Sequence, residues 1–509
     1  MKAFLMYRDR DFDLGAPLPP NSEALIQDLE LNVLFDAMAL GDKYLHEVAS
    51  KAVLQSLGDE AEVRYRQDIL RDVIANPLLA RFLYDLTIEA NEVEKKSHAW
   101  GYLKSPSSIL SQSVAVLHGF VALLKQLRGV GTYNAKRFSS QGFTAFFAML
   151  DRELEDDYFV SIQDHINQLK FRDGVLIGAV LGSGNKGANY TLRKPNQQQG
   201  NWIERLLAPK PPAYTWSLPP RDEAGANALG ELRDRGLNLV ANALAQSGDH
   251  ILSFFGMLRT ELAFYIGCLN LQEQLAKKAY PISFPAPRAR SERKLSSRGL
   301  YDVCLTFKAA HRVFGNDVDA DDKDFVIITG ANTGGKTTFL RSVGLAQLMM
   351  ECGMFVGAES FSANMSSHIF THYVREEDTT MKSGKLDEEL GRFSGIVDKI
   401  TPNAIVLFNE SFSATNEREG SEISRQITSA LLEKRVKIVF VTHLYDFAHS
   451  VYDKHKTTSL FLRAERQADG GRTFKLIEAE PMQTGYGEDL YNEIFGVGSF
   501  HALERSNSC

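Results

Sequence analysis

From about Ser22 to Gln168 apolar residues recur at steps of three and four, as in Leu29-Glu30-Leu31-Asn32-Val33-Leu34-Phe35 and Ile69-Leu70-Arg71-Asp72-Val73-Ile74. That period puts an apolar stripe on a helix and predicts a succession of helices. Pro17, Pro19 and Pro20 precede the first, and Ser22 with Glu23 reads as its start. Between Lys170 and Arg221 the texture changes. Val175-Leu176-Ile177-Gly178-Ala179-Val180 and Tyr190-Thr191-Leu192 read as strands, with a turn at Gly182, Gly184 and Gly187. From Asp222 to Lys278 no proline interrupts. Leu237, Leu244, Ile251, Leu258 and Tyr265 recur every seven residues, with Phe255, Leu262 and Leu269 four behind. This predicts one long helix burying a single stripe, with Gly225, Gly230, Gly236, Gly248 and Gly256 as places to bend or break. Ala279 to Gly299 is proline-rich, then basic, and reads as a connector. Beyond it strands alternate with helices. The expected architecture is multidomain: a mainly α-helical region with a small β insertion, then an α/β domain. The segments are 1–169, 170–221, 222–300 and 301–509.

Composition narrows the classes. A chain of 509 residues with 44% apolar and 24% charged residues is an ordinary globular protein of roughly three domains. Its net charge of −7 excludes global attraction to polyanions, so any such site must be local. One local excess exists. Residues 170–221 hold eight Lys and Arg against Asp173 and Glu204, interleaved with Phe171, Tyr190, Trp202, Tyr214 and Trp216. As pattern alone this is a solvated β excursion or a polyanion-binding surface. The cysteines, Cys268, Cys304, Cys352 and Cys509, are far apart, which fits a reducing compartment and a cytoplasmic location. Charge arrives too early for a signal peptide, and no uncharged run approaches 18 residues, so no membrane association is expected.

The chemistry lies in the last segment. Gly330-Ala331-Asn332-Thr333-Gly334-Gly335-Lys336-Thr337 follows the apolar run Phe325-Val326-Ile327-Ile328 and precedes a helical pattern. Strand, G-x-x-x-x-G-K-[ST] and helix together form a phosphate cradle, in which backbone N–H groups and the helix N-terminus meet the anion. Lys336 would reach the β and γ phosphates, and the Thr337 hydroxyl would ligate Mg²⁺. Ile405-Val406-Leu407-Phe408-Asn409-Glu410 is a buried strand with a polar end. Glu410 stands where a general base would polarise water, and Asn409 stands on the metal side without a negative charge. Ile438-Val439-Phe440-Val441 ends at Thr442-His443, where a histidine would sense the γ-phosphate.

These pieces resemble the MutS family of DNA mismatch-repair ATPases. The likeness rests on Ile328 through Thr338, on Asn409 through Gly420, and on Val441-Thr442-His443-Leu444-Tyr445-Asp446. Phe314-Gly315-Asn316-Asp317-Val318 looks like the segment beside the adenine ring, and Thr484-Gly485-Tyr486-Gly487 resembles the turn before the terminal helices. The resemblance implies an ATPase of ABC type that pairs with a second copy. Gly330, Asn332, Gly334, Gly335, Lys336, Thr337, Thr338 and Asn316 would hold ATP. Glu410, His443 and Lys336 would serve catalysis, with Thr337 and Asn409 on Mg²⁺. Thr415 and Asn416 would face the partner's γ-phosphate, where the family usually has serine at the second position. Glu388 and Glu389 are weaker candidates for metal or water contacts. The helices would be core and levers, and the basic insertion a clamp in which Lys186, Arg193 and Lys194 meet DNA phosphates.

Two departures matter. The helical core begins almost at once, and the only Phe-x-Glu is Phe408-Asn409-Glu410, so the family's mismatch-reading wedge is not expected. The terminal helices are expected to be short. Two readings remain: an ATP-hydrolysing, homodimeric DNA clamp, or a nucleotide-gated scaffold with weak hydrolysis that binds a protein instead. An ABC transporter ATPase fits poorly, since no LSGGQ-like signature is present.

Overall fold

The computed structural model describes residues 1–98, 105–171, 174–193, 217–331, 334–375, 384–466 and 472–482. Its elements begin with α1 (Ser22–Asp28), α2 (Leu31–Ala39), α3 (Lys43–Leu54), α4 (Glu60–Ala75), α5 (Pro77–His98), α6 (Pro106–Asn134), α7 (Gln141–Glu153) and α8 (Asp156–Leu169). A hairpin follows, β1 (Ile177–Leu181) and β2 (Gly187–Leu192), then α9 (Glu223–Lys277). The remainder runs β3 (Ala286–Arg288), β4 (Leu295–Leu300), α10 (Val303–Lys308), β5 (Asn316–Asp319), β6 (Phe325–Thr329), α11 (Lys336–Glu351), β7 (Ser360–Asn364) and β8 (Ile369–Tyr373). It ends with α12 (Lys385–Val397), β9 (Ile405–Asn409), α13 (Glu417–Glu433), β10 (Lys437–Val441), α14 (Tyr445–His455), β11 (Ser459–Arg466) and β12 (Arg472–Glu478).

The chain folds into two compact units, Met1–Leu5 with Leu78–Leu262, and Met6–Pro77 with Ala263–Cys509. These divisions differ from the segmentation expected at 169 and 300. Residues 6–77 belong with the sheets rather than with the later helices, and contacts distant in sequence are the reason. Leu29 packs so closely on α11 that a Cβ at Gly344 would sit 2.9 Å from it, and the Leu57 N–H donates to Glu351 O at 2.9 Å.

In the first unit the helical period does what it predicts. α6 starts at a Ser105 cap with Pro106 in its first turn, and buries Leu110, Val114, Leu117, Val121 and Leu124. Phe138, Phe143 and Phe147 cluster with ring centroids 4.5 to 5.7 Å apart. β1 and β2 pair antiparallel, Ile177 opposite Leu192 and Leu181 opposite Gly187. Gly184 (φ 70°) and Asn185 (φ 58°) make the turn. α9 stays helical through all its glycines. Gly236 is one whose lack of a side chain matters, since a Cβ there would lie 2.7 Å from Ile177. Leu237, Leu258 and Leu262 are fully buried, as the seven-residue repeat requires. α6 with its continuation to Arg137, and α9, are long and apolar enough to cross a membrane, but 44% and 72% of their most apolar windows are buried within the protein.

The second unit is built on a six-stranded sheet of order β12-β11-β6-β10-β9-β8. All neighbours are parallel except β12 against β11. β6 and β10 are buried along their whole length, which is why they read as unbroken apolar runs. One side of the sheet packs an aromatic layer including Phe325, Phe408, Phe440 and Phe447, with Phe408 and Phe440 stacked at 4.8 Å. A second sheet has the order β3-β7-β4-β5. The stretch Ala279–Gly299, expected to be a connector, therefore supplies two of its strands. Pro287 obscured β3, and proline is tolerated there because β3 is an edge strand.

Candidate nucleotide site

The parallel strands β6, β9 and β10 end level with one another, Ile328 beside Val441 and Val441 beside Asn409. Open sheets of this kind gather ligands at such carboxyl ends. After Thr329 the chain turns at Gly330 (φ 115°) and again at Gly335 (φ 89°), two left-handed positions that an L side chain rarely adopts. Lys336 then opens α11. Ala464, on β11, forms the floor of the turn: a Cβ at Gly330 would lie 3.0 Å from its Cβ, and one at Gly334 2.7 Å. Asn332 and Thr333 lie outside the described residues.

A cavity of about 620 Å³ opens at these strand ends. Gly335, Lys336, Thr337, Thr338, Glu410 and Asn316 line it, together with Phe314 and Phe474. Lys336 is 4% exposed, and its Nζ donates to Gly330 O at 2.7 Å and Ala331 O at 3.0 Å. Burial lowers its pKa, with the Glu410 charge opposing that shift. The Thr337 hydroxyl donates to Asn409 Oδ1 at 3.0 Å, joining the phosphate turn to the end of β9. Glu410 has φ 55°; its N–H donates to Val441 O at 2.8 Å, and its carbonyl accepts from Ser413 Oγ at 2.7 Å.

Other expected residues stand differently. Asn316 lines the cavity, but its side chain is taken up by β12: Nδ2 donates to Phe474 O at 3.2 Å, and Oδ1 accepts from the Leu476 N–H at 2.7 Å. His443 is exposed at the start of the turn after β10 and does not line the cavity. Asn416 caps α13, its Oδ1 accepting from the Glu419 N–H at 3.0 Å. Its Nδ2 and the Thr415 hydroxyl both turn onto the Glu419 carboxylate. Glu389 is buried rather than on the cavity wall. Lys186 and Arg193 are exposed on the β1–β2 hairpin of the first unit. Lys194 and Thr484 to Gly487 lie outside the described residues.

Sequence reasoning missed Phe474 entirely. Its ring lies parallel to Phe314, at 8°, with centroids 6.4 Å apart, and both rings are exposed (44% and 52%). Two exposed aromatic faces beside a phosphate turn suit a planar heterocycle. The signal was the aromatic itself in Thr473-Phe474-Lys475, but nothing local ties it to Phe314.

Comparison with known proteins agrees with this geometry. Residues 58–278 match the family model described as the MutS2 N-terminal domain, and residues 326–493 match MutS domain V. The chain is 30% identical over 189 residues to the DNA mismatch repair protein MutS of Syntrophomonas wolfei, covering 36% of this chain and 22% of that protein. It is 31% identical over 235 residues to Endonuclease MutS2 of Lacticaseibacillus casei, covering 45% and 29%. It is 27% identical over 152 residues to the human MutS protein homolog 4, covering 30% and 16%. Each alignment thus spans less than a third of the relative.

Proposed function

The chain belongs to the MutS family, and we propose that it works as an ATP-driven, dimeric DNA-binding clamp in mismatch repair or recombination-related DNA maintenance, gripping DNA by its backbone or at branched structures. The observation that carries the proposal is the joining of Thr337 to Asn409 at 3.0 Å beside a cavity that also holds Lys336 and Glu410.

The residues fit ATP and Mg²⁺. The cradle is one that a Cβ at Gly334 would fill, and Thr337 with Asn409 offers neutral oxygens of the kind hard cations take. Mg²⁺ held there would supply neutralisation of the phosphate charge. Lys336 would exchange the carbonyls of Gly330 and Ala331 for phosphate oxygens. Gly330, Gly334, Gly335 and Thr338, with Asn332, would shape the phosphate cradle. Phe314 and Phe474 would hold the base, with Asn316 fixing the strand that carries Phe474. Glu410 would take the proton of the attacking water. Asn409 orients without charge, which favours slow turnover. His443 would sense the γ-phosphate. Thr415 and Asn416 would face the nucleotide of a second copy, at the positive end of the α13 dipole. Lys186, Arg193 and Lys194 would meet DNA phosphates.

The test is filter binding of linear, mismatched and branched DNA with ATP, ADP or a non-hydrolysable analogue, over a salt series. The clamp reading expects nucleotide-dependent binding with a steep salt slope. The Lys186→Glu and Arg193→Glu changes should each reduce that slope by about one unit. The neutral Asn409 favours the second reading, a nucleotide-gated scaffold. Absence of DNA binding at low salt, with ATP binding intact, would support the scaffold and end the clamp.

A further inference from the structure

Beside the Glu410 turn lies a buried polar cluster that no motif marks. His372, on β8, is 1% exposed, and Glu389, on α12, is 2% exposed. His372 Nε2 lies 3.1 Å from the Glu389 backbone oxygen, and Nδ1 lies 2.8 Å from Ser411 Oγ. A carbonyl oxygen only accepts, so Nε2 carries a proton. Burial, with Arg392 and Arg375 nearby, lowers the His372 pKa to about 4, so the neutral ring carries only that proton. The Ser411 hydroxyl has one proton for two acceptors, the His372 carbonyl at 2.6 Å and Nδ1 at 2.8 Å, so both hold its oxygen in place. The imidazole stacks on Phe412 at 5.2 Å and 20°.

Glu389 is harder to explain as packing. Neither carboxylate oxygen has a hydrogen-bond partner among the described residues. Burial raises the acid's pKa, opposed by the Phe412 backbone N–H and the Arg392 and Lys385 charges. An unpaired buried acid costs stability, and an apolar residue would pack there more favourably. What the acid faces is a strained turn. Glu410 (φ 55°) and Phe412 (φ 62°) are both left-handed non-glycine residues on either side of Ser411. Gly420 closes that turn from the other side, since a Cβ there would fall 2.4 Å from Phe412 O.

We propose that Glu389 and His372 are positioning residues: they hold Phe412 and Ser411 so that Glu410, immediately upstream, presents its carboxylate to the cavity. This rests on the nucleotide-hydrolysing reading above. The buried carboxylate draws the Phe412 amide dipole toward it, and the imidazole holds the Ser411 side chain. Neither touches nucleotide.

The experiment uses the full chain with Glu389→Ala, Glu389→Gln and Ser411→Ala. Turnover per bound nucleotide should fall about tenfold or more in Glu389→Ala and Ser411→Ala, with the KM for ATP within about twofold of wild type. Glu389→Gln, which keeps an acceptor, should recover most of the loss. Amide hydrogen exchange is read in parallel. Peptides spanning 410–416 should exchange about tenfold faster in Glu389→Ala, while β6 and β10 stay protected. A merely structural role lowers the melting temperature and leaves turnover per bound nucleotide and loop exchange unchanged; that result overturns the proposal. If the wild type hydrolyses no ATP, the functional reading fails by itself. The exchange measurement then still decides, since unaltered loop protection refutes positioning. If Glu389→Ala does not fold, Ser411→Ala carries both measurements.

Discussion

Asn409 carries the largest chemical consequence of any single residue here. Its Oδ1 accepts from Thr337 at 3.0 Å, as a carboxylate would, but it brings no charge. A unit negative charge ~4 Å from a divalent cation is worth about 2 kcal/mol in water and about 8 kcal/mol at an effective dielectric of 20. The site is only half-buried at Asn409, so the lower end applies. Asn409→Asp should therefore lower the Mg²⁺ concentration giving half-maximal ATPase by about tenfold or more, since about 1.4 kcal/mol is one decade. A Mg²⁺ titration that does not move would take Asn409 off the metal side. The place of this residue was legible in the chain because strand and polar end are contiguous. Phe474 and His372 were not, because each acquires its meaning from a neighbour brought close only by folding: Phe314 for one, Ser411 for the other.

Among the elements, α13 shows how local signals and function overlap. Asn416 caps it, and Glu419 stands three residues on, its N–H bonded to the cap and its carboxylate to the cap's Nδ2. Asparagine and serine cap comparably, so asparagine in place of the family's serine keeps the helix start. Asn416→Ala should cost about 1 kcal/mol and lower the melting temperature by about 2–4 °C, while Asn416→Ser should stay near wild type. Thermal unfolding of the three chains checks this, and equal midpoints would show the cap to be idle. Long elements were the most readable. The seven-residue repeat of α9 and the apolar runs of β6, β9 and β10 are visible without any partner, since each imposes its own period or length. β3 was missed because it is three residues long and contains Pro287, and β4 because Ser296-Ser297-Arg298-Gly299 interrupts its apolar residues; their pairing with β7 is invisible in the sequence.

At the scale of the whole molecule, the two compact units are stitched from alternating stretches of chain, and α9 contributes to both. A helix of this length extends about 80 Å at ~1.5 Å per residue. The periodicity announced the helices of residues 22–168, but not that α1 to α4 go with the sheets. That allocation is set by packing such as Leu29 against Gly344, which no local pattern encodes. If ATP binds two heads together, Glu410→Gln should hold them so. Light scattering with ATP should give twice 56.8 kDa for Glu410→Gln and a single copy for Lys336→Ala. A Glu410→Gln chain that stays at one copy under saturating ATP would remove pairing from the mechanism.

Ala464 carries a consequence of a different kind. It sits on β11, outside every stretch associated with phosphate, yet the methyl it presents already fills the space under Gly330 and Gly334. A larger side chain at Ala464 should press on that turn and push it outward. A descendant of this chain could thus keep its glycines, lysine and threonine letter for letter and still become blind to nucleotide through one extra carbon on a strand that no motif search inspects.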